Sequence, residues 1–187
     1  MEEHKTLLEK GQLLLAEPFT QDETFKRSVI LLTHHKDDGS VGFILNKPLE
    51  LKVNDVVARI TNSDYNLYMG GPVSSDNLYY IHTRGDLVEG SVNIGHNIYW
   101  GGNFDTISTL IDTNQLKPEH IRFFIGYTGW EPGQLKKEMN KNAWIVSPST
   151  APIVLSTQSK ALWSTILKTM GGKYSEIANY PENPLLN

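Results

Sequence analysis

The side chains with most chemical reach stand together in one stretch, Gly126-Tyr127-Thr128-Gly129-Trp130-Glu131-Pro132-Gly133-Gln134-Leu135, which runs on to Glu138 and Trp144. Gln134 and Glu138 share a face if the segment is helical. With Trp130 just upstream they form a polar and aromatic ledge able to grip a partner or small molecule. The same residues have a plainer use, with indoles filling the core and the amide satisfying loop carbonyls. A second candidate is Gly70-Gly71-Pro72, whose glycines let backbone approach closely and could turn amides toward an anion; a tight turn into Pro72 needs the same residues. His82, beside Thr83-Arg84, is of a type suited to acid–base work or an anion contact, although a strand-end histidine more commonly bonds to backbone. His34-His35 suggests a metal, but neighbours on a strand point to opposite faces. His4, His82, His96 and His120 show neither His-x-His nor His-Glu-x-x-His spacing. No metal ligands, cofactor or catalytic residues are assigned on this reading.

Other arrangements fail on their own terms. Gly171-Gly172-Lys173-Tyr174 resembles the end of a phosphate-binding loop, but Leu167 stands where the earlier glycine belongs and no Ser or Thr follows the lysine. Neither Gly-x-Gly-x-x-Gly nor Gly-x-Ser-x-Gly occurs. The sequence contains no cysteine, which excludes disulfides, thiolate metal sites and thiol nucleophiles. A formal charge of −4 gives no net attraction to phosphate backbones. The Lys136, Lys137, Lys141 face is the one local basic cluster, and such faces are usually just solvated. The start, Met-Glu-Glu-His-Lys-Thr-Leu-Leu, lacks the basic-then-apolar pattern of a signal peptide, and no run approaches the roughly 20 apolar residues that span a bilayer. The expectation is a cytoplasmic protein.

The elements that must position these residues follow from pattern. Ile121 to Tyr127 is aromatic and β-branched, hence a strand, with Gly126 marking a bulge or close backbone approach. Gly129 is expected to reverse the chain and Glu131-Pro132 to open a helix carrying Leu135 and Met139 inward. Strands are predicted over 11–16, 28–35, 41–46, 67–69, 77–82, 91–94, 97–100, 143–146 and, as a last short one, Pro152 to Leu155. Lys36-Asp37-Asp38-Gly39-Ser40 makes a hairpin of the second and third. Helices are predicted over 53–59, after the cap Asn103, and over 159–170, where Gly171-Gly172 ends the last. Strands come first and helices are scattered later, without βαβ alternation, which favours α+β. The 187 residues suit a single domain over 1–187, with 1–10 and 176–187 peripheral and an irregular tail.

Taken in order, Phe25-x-Arg27-Ser28-Val29, Gly42-x-x-x-Asn46-Lys47-Pro48, Gly70-Gly71-Pro72-Val73 and Gly126-Tyr127-x-Gly129-Trp130-x-x-Gly133-Gln134-Leu135, followed by Glu138 and Ala143-Trp144, resemble the YqgE/AlgH family of bacterial proteins. The resemblance implies an α+β fold with a split, mostly antiparallel sheet curled into a pseudo-barrel and helices packed outside. It also implies a cytosolic protein of unsettled biochemistry, in a family often labelled transcriptional regulators. The family brings no catalytic residues to carry over. Lys136 stands where relatives commonly have Glu, which weakens any acidic pair with Glu138, and the lack of cysteine removes thiol-based sensing.

The reading that results is a non-enzymatic binding or regulatory protein, acting on transcription indirectly through a protein partner or small ligand. Its surface would be the convergence of Asn46, Lys47, Pro48, Gly70, Gly71, Pro72, Trp130, Gln134 and Glu138. The alternative is a small-molecule enzyme with Glu138 or His82 as acid/base and Gly70-Gly71 as an anion loop. Direct DNA binding ranks third.

Overall fold

The computed structural model describes residues 8–156 and 158–181. His4 and the end of the tail lie outside them. In chain order the elements are β1 (Leu13–Ala16), β2 (Val29–Lys36), β3 (Gly39–Ile44), β4 (Pro48–Lys52), α1 (Val53–Val56), β5 (Asn66–Met69) and β6 (Val73–His82). There follow β7 (Val92–Gly95), β8 (Ile98–Trp100), α2 (Phe104–Asp112), β9 (Ile121–Trp130), α3 (Gln134–Asn140), β10 (Trp144–Ser147), α4 (Ala151–Val154), α5 (Leu162–Met170) and α6 (Gly172–Ile177).

The strands run β10-β1-β2-β3-β9-β6-β8-β7 across the sheet, with β4 on β5 and β5 on β9. Every pair is antiparallel except β5 with β9. The sheet forks on β9. The first half of β9 lies beside β5, with Leu67 opposite Phe123 and Met69 opposite Ile125. Its second half lies beside β3, with Gly42 opposite Thr128 and Ser40 opposite Trp130. β6 covers the other edge from His82 opposite Ile121 to Val73 opposite Tyr127. This is the mostly antiparallel, split sheet of the expected α+β class; its path stays open, because β10 and β7 end it without pairing each other.

The fork is made by glycine. At Gly126 φ is +69°, and a Cβ there would stand 2.4 Å from the Gly71 carbonyl oxygen. A Cβ on Gly70 would stand 2.3 Å from the Gly126 oxygen. Two backbones therefore cross where no side chain fits. The Gly70 amide donates to the Ile125 oxygen at 2.8 Å, and its own oxygen accepts from the Ile44 amide at 2.9 Å.

Both faces of the sheet are covered, so its central strands read as continuous apolar runs rather than alternating ones. Leu13, Leu15, Leu31 and Phe43 join Trp163, Ile166 and Leu167 of α5 in one cluster. Leu14, Ile30 and Leu32 join Trp130, Leu135 and Trp144 in a second, on the other face. α2, capped by the Asn103 side chain on the Thr106 amide, packs Ile107, Leu110 and Ile111 against Phe123 in a third.

The structure corrects the expected elements at several points. β9 does not turn at Gly129 but continues to Trp130, because Gly129 pairs with Val41 in extended backbone. The reversal falls instead at Gly133, in the left-handed region at φ +75°, and α3 starts one residue later than that cap, with no acid in its first turn. The segment around Pro152 is helical, since proline suits the first helical turn and costs no hydrogen bond there. β4 goes unannounced in sequence, an exposed edge strand opened by Pro48. β6 starts at Val73, earlier than its apolar core suggests.

Candidate functional site

α3 brings the ledge residues together. The Gln134 side-chain oxygen accepts from the Glu131 amide at 3.0 Å and closes the turn that leads into the helix. One helical turn on, Gln134 Nε2 donates to Glu138 Oε1 at 2.9 Å. The other carboxylate oxygen of Glu138 accepts from both indoles, Trp130 Nε1 and Trp144 Nε1, each at 2.8 Å. The two rings meet edge to face, centroids 6.0 Å apart. Glu138 thus joins α3 to the ends of β9 and β10, and three N–H donors occupy its carboxylate. A charged acceptor in such a bracket stiffens the corner.

Beside this corner is an open groove of about 430 Å³. Its walls are the β2–β3 hairpin (His34, Asp38, Ser40, Val41), the start of β6 (Val73), the end of β9 (Tyr127, Trp130) and the turn into α3 (Glu131, Gln134). Gly129 lines it from the middle and is exposed. A Cβ on Gly129 would touch the Tyr127 ring edge at 3.3 Å and little else. On the hairpin rim His34 Nε2 lies 2.8 Å from Asp38 Oδ1, and this hydrogen bond holds the Asp38 carboxyl below its ordinary range. His35 Nδ1 lies 2.7 Å from Ser40 Oγ. The groove therefore offers an apolar wall of Val41, Val73 and Tyr127, with hydrogen-bonding groups of both kinds on its margin.

The other candidates for the binding surface are mostly engaged in the fold. Asn46 accepts from the Val29 amide and donates to the Arg27 oxygen, both at 2.8 Å, tying the end of β3 to the entry of β2. Lys47 Nζ donates to the Glu23 oxygen at 2.8 Å, and its carbonyl accepts from the Met69 amide. Pro48 stands opposite Tyr68. Gly70 and Gly71 lie against β9, while Pro72 is exposed. The structure thus brings Asn46-Lys47-Pro48 and Gly70-Gly71-Pro72 side by side at β4–β5. Trp130 and Gln134 line the groove, and Glu138 sits behind them.

His82 is fully buried. Its Nε2 lies 2.9 Å from the Gly101 oxygen and its Nδ1 accepts from the Arg84 amide at 3.1 Å, which fixes the Nε2–H tautomer. Burial pushes its pKa below the usual 6.5, partly opposed by the Gly101 bond and by Asp86. Among the described residues, no three His, Asp or Glu side chains lie close enough to hold a metal, and no helix is long and apolar enough to cross a membrane.

Arg122 is the residue that sequence reasoning passed over. It is 3% exposed, inside β9, with Nη1 donating to the Leu45 oxygen at 2.7 Å, Nη2 to the Ser156 oxygen, and its guanidinium over the Tyr68 ring. The signal was available: one permanent charge in the apolar run Ile121-Arg122-Phe123-Phe124-Ile125.

With this geometry in hand, comparison with known proteins gives a consistent result. The chain is 42% identical to a UPF0301 protein of Chlorobium luteolum over 180 residues, covering 96% of this chain and 95% of the relative. It is 40% identical to the UPF0301 protein CT0663 of Chlorobaculum tepidum, covering 97% of each. A crystal structure of a Corynebacterium diphtheriae protein superposes with a TM-score of 0.81 at 22% identity, over 95% of both chains. The solution structure of the AlgH protein from Pseudomonas aeruginosa superposes with a TM-score of 0.74 at 24% identity, over 97% of this chain and 98% of that one. These two likenesses show the shared fold. A family model described as DUF179, AlgH-like, matches residues 13–175, and with it the chain belongs to the AlgH-like family of UPF0301 proteins.

Proposed function

We propose that the chain is a single-domain, cytoplasmic, non-enzymatic binding protein, and that the groove over Gly129 is where it engages a protein segment or small ligand. Any influence on transcription would be indirect, through that partner. The observation that carries this reading is the groove itself: about 430 Å³, an apolar wall with polar margins, and a glycine lining it where a side chain would stand in the way. The chemistry of the alternatives favours binding over catalysis. Both ring nitrogens of His82 are spent on backbone, and the Glu138 carboxylate is bracketed by three donors. The net charge of −4 weighs against duplex DNA as the partner.

Gly129→Arg tests the proposal, because its backbone is extended, not left-handed, and the added side chain has open space to enter. A metabolite and nucleotide thermal-shift screen, together with pull-downs from lysate, is run on both forms. The expected outcome is a ligand or partner held by the parent and lost at least tenfold in Gly129→Arg, with the unliganded melting temperature unchanged within about 2 °C. Partners bound equally by both forms would place the function elsewhere on the surface.

A further inference from the structure

On the side of β9 that faces β5 there is a second, much smaller cavity, of about 20 Å³. Arg122, Asn66, Tyr68, Tyr65, Phe123 and Leu155 are among its walls. That volume holds about one water-sized particle, so it excludes phosphate, sulfate or a carboxylate-bearing metabolite and admits a single atom or ion.

Arg122, Asn66 and Tyr68 bring side-chain donors to the wall. A guanidinium carries five N–H donors. Two go to the Leu45 and Ser156 carbonyls. Among the described residues no carboxylate pairs with Arg122; its guanidinium lies over the Tyr68 ring, 4.4 Å from the centroid. The Asn66 side-chain oxygen is taken by Lys52 Nζ, which leaves the amide hydrogens of Asn66 as its free polar groups and adds a second cation at the same corner. Tyr68, 4% exposed, brings its hydroxyl to the residues that line the cavity. A buried charge ordinarily has a counter-charge, because desolvating it alone is expensive. Among the described residues the protein supplies carbonyl dipoles and a ring face here, but no negative charge.

We propose that this cavity is a binding site for one small inorganic monoanion of halide size, held by Arg122 with the Asn66 amide and the Tyr68 hydroxyl, serving as the counter-charge that the fold omits. The anion ties β9 to β5, and the cavity lies apart from the groove over Gly129.

Two experiments on the full chain decide it. In the first, crystals are soaked in sodium bromide and bromide is located by its anomalous scattering. A peak in the cavity beside Arg122 is expected, and a cavity without bromide overturns the proposal. In the second, melting is followed in sodium chloride against sodium gluconate at matched ionic strength, for the parent and for Asn66→Asp. That substitution puts a carboxylate where the anion would neutralise the guanidinium. The parent should gain about 3–5 °C per tenfold rise in chloride beyond half-saturation. Asn66→Asp should melt higher than the parent at low chloride and lose the chloride dependence. A chloride effect of equal size in both forms would show anions acting elsewhere, and would also overturn the proposal. Should Asn66→Asp fail to fold, the bromide position still decides.

Discussion

Glu138 stands where three donors converge, and its energetic weight follows from what its loss would strand. Glu138→Ala leaves two indole N–H groups, on tryptophans only 6% and 8% exposed, without an acceptor. The expected cost is about 2–4 kcal/mol in urea unfolding, since each stranded donor costs about 1–3. Glu138→Gln keeps one oxygen for the indoles and turns its amide toward the Gln134 amide, so about 1 kcal/mol is expected. Equal losses in the two variants would mean that the charge matters more than the hydrogen bonds. His82 gives a prediction about pH. Its folded pKa lies below the usual 6.5, so as pH falls through that value the unfolded chain takes up the proton first. The stability that neutral His82 contributes is therefore complete above about pH 6.5 and is lost on acidification toward the lower folded value. Melting at pH 8 and pH 5.5 should differ less in His82→Gln than in the parent, because glutamine can still donate to Gly101 and does not titrate. At this scale the sequence was legible by type rather than by role. Trp130, Gln134 and Glu138 do meet, but only the hydrogen bonds reveal that Glu138 is a brace. Arg122 stands out as a lone charge in an apolar run, but its carbonyl partners on distant segments do not.

Among the elements, β9 sets the terms for the rest. The crossing at Gly126 and Gly70-Gly71 requires bare backbone on both sides, whereas Gly133 needs only its positive φ and has no atom within 4 Å of an added Cβ. Gly126→Ala should accordingly lose more than about 3 kcal/mol or fail to fold, while Gly133→Ala should lose about 1–2 kcal/mol, the ordinary cost of a left-handed residue with a Cβ. Chemical denaturation of the two variants checks this, and similar losses would remove the crossing from the account. Gly126 was readable in advance as a bulge or close approach because a glycine in an aromatic strand has few other uses. Its partner segment was not, since nothing local tells one backbone which other it will cross. Pro152 and Gly129 misled for a related reason. Each is compatible with more than one local state, and pairing with Val41 or entry to a helix decides between them.

Across the whole molecule, the antiparallel character of the sheet and the coverage of both its faces were visible as hairpin chemistry and long apolar runs. The order of strands was not, because β3, β5 and β6 each take their place in the sheet by pairing with β9, far along the chain. The fork has a consequence for how the protein comes into being. A chain emerging from the ribosome presents β1 to β8 before β9 exists, so three strands with apolar faces must wait for their common neighbour. The first two-thirds of the molecule cannot complete the sheet, and the arrival of one ten-residue segment joins both branches at once. Vectorial synthesis thus ends in a late, concerted closure, and the interval before it is when this chain has most need of a chaperone.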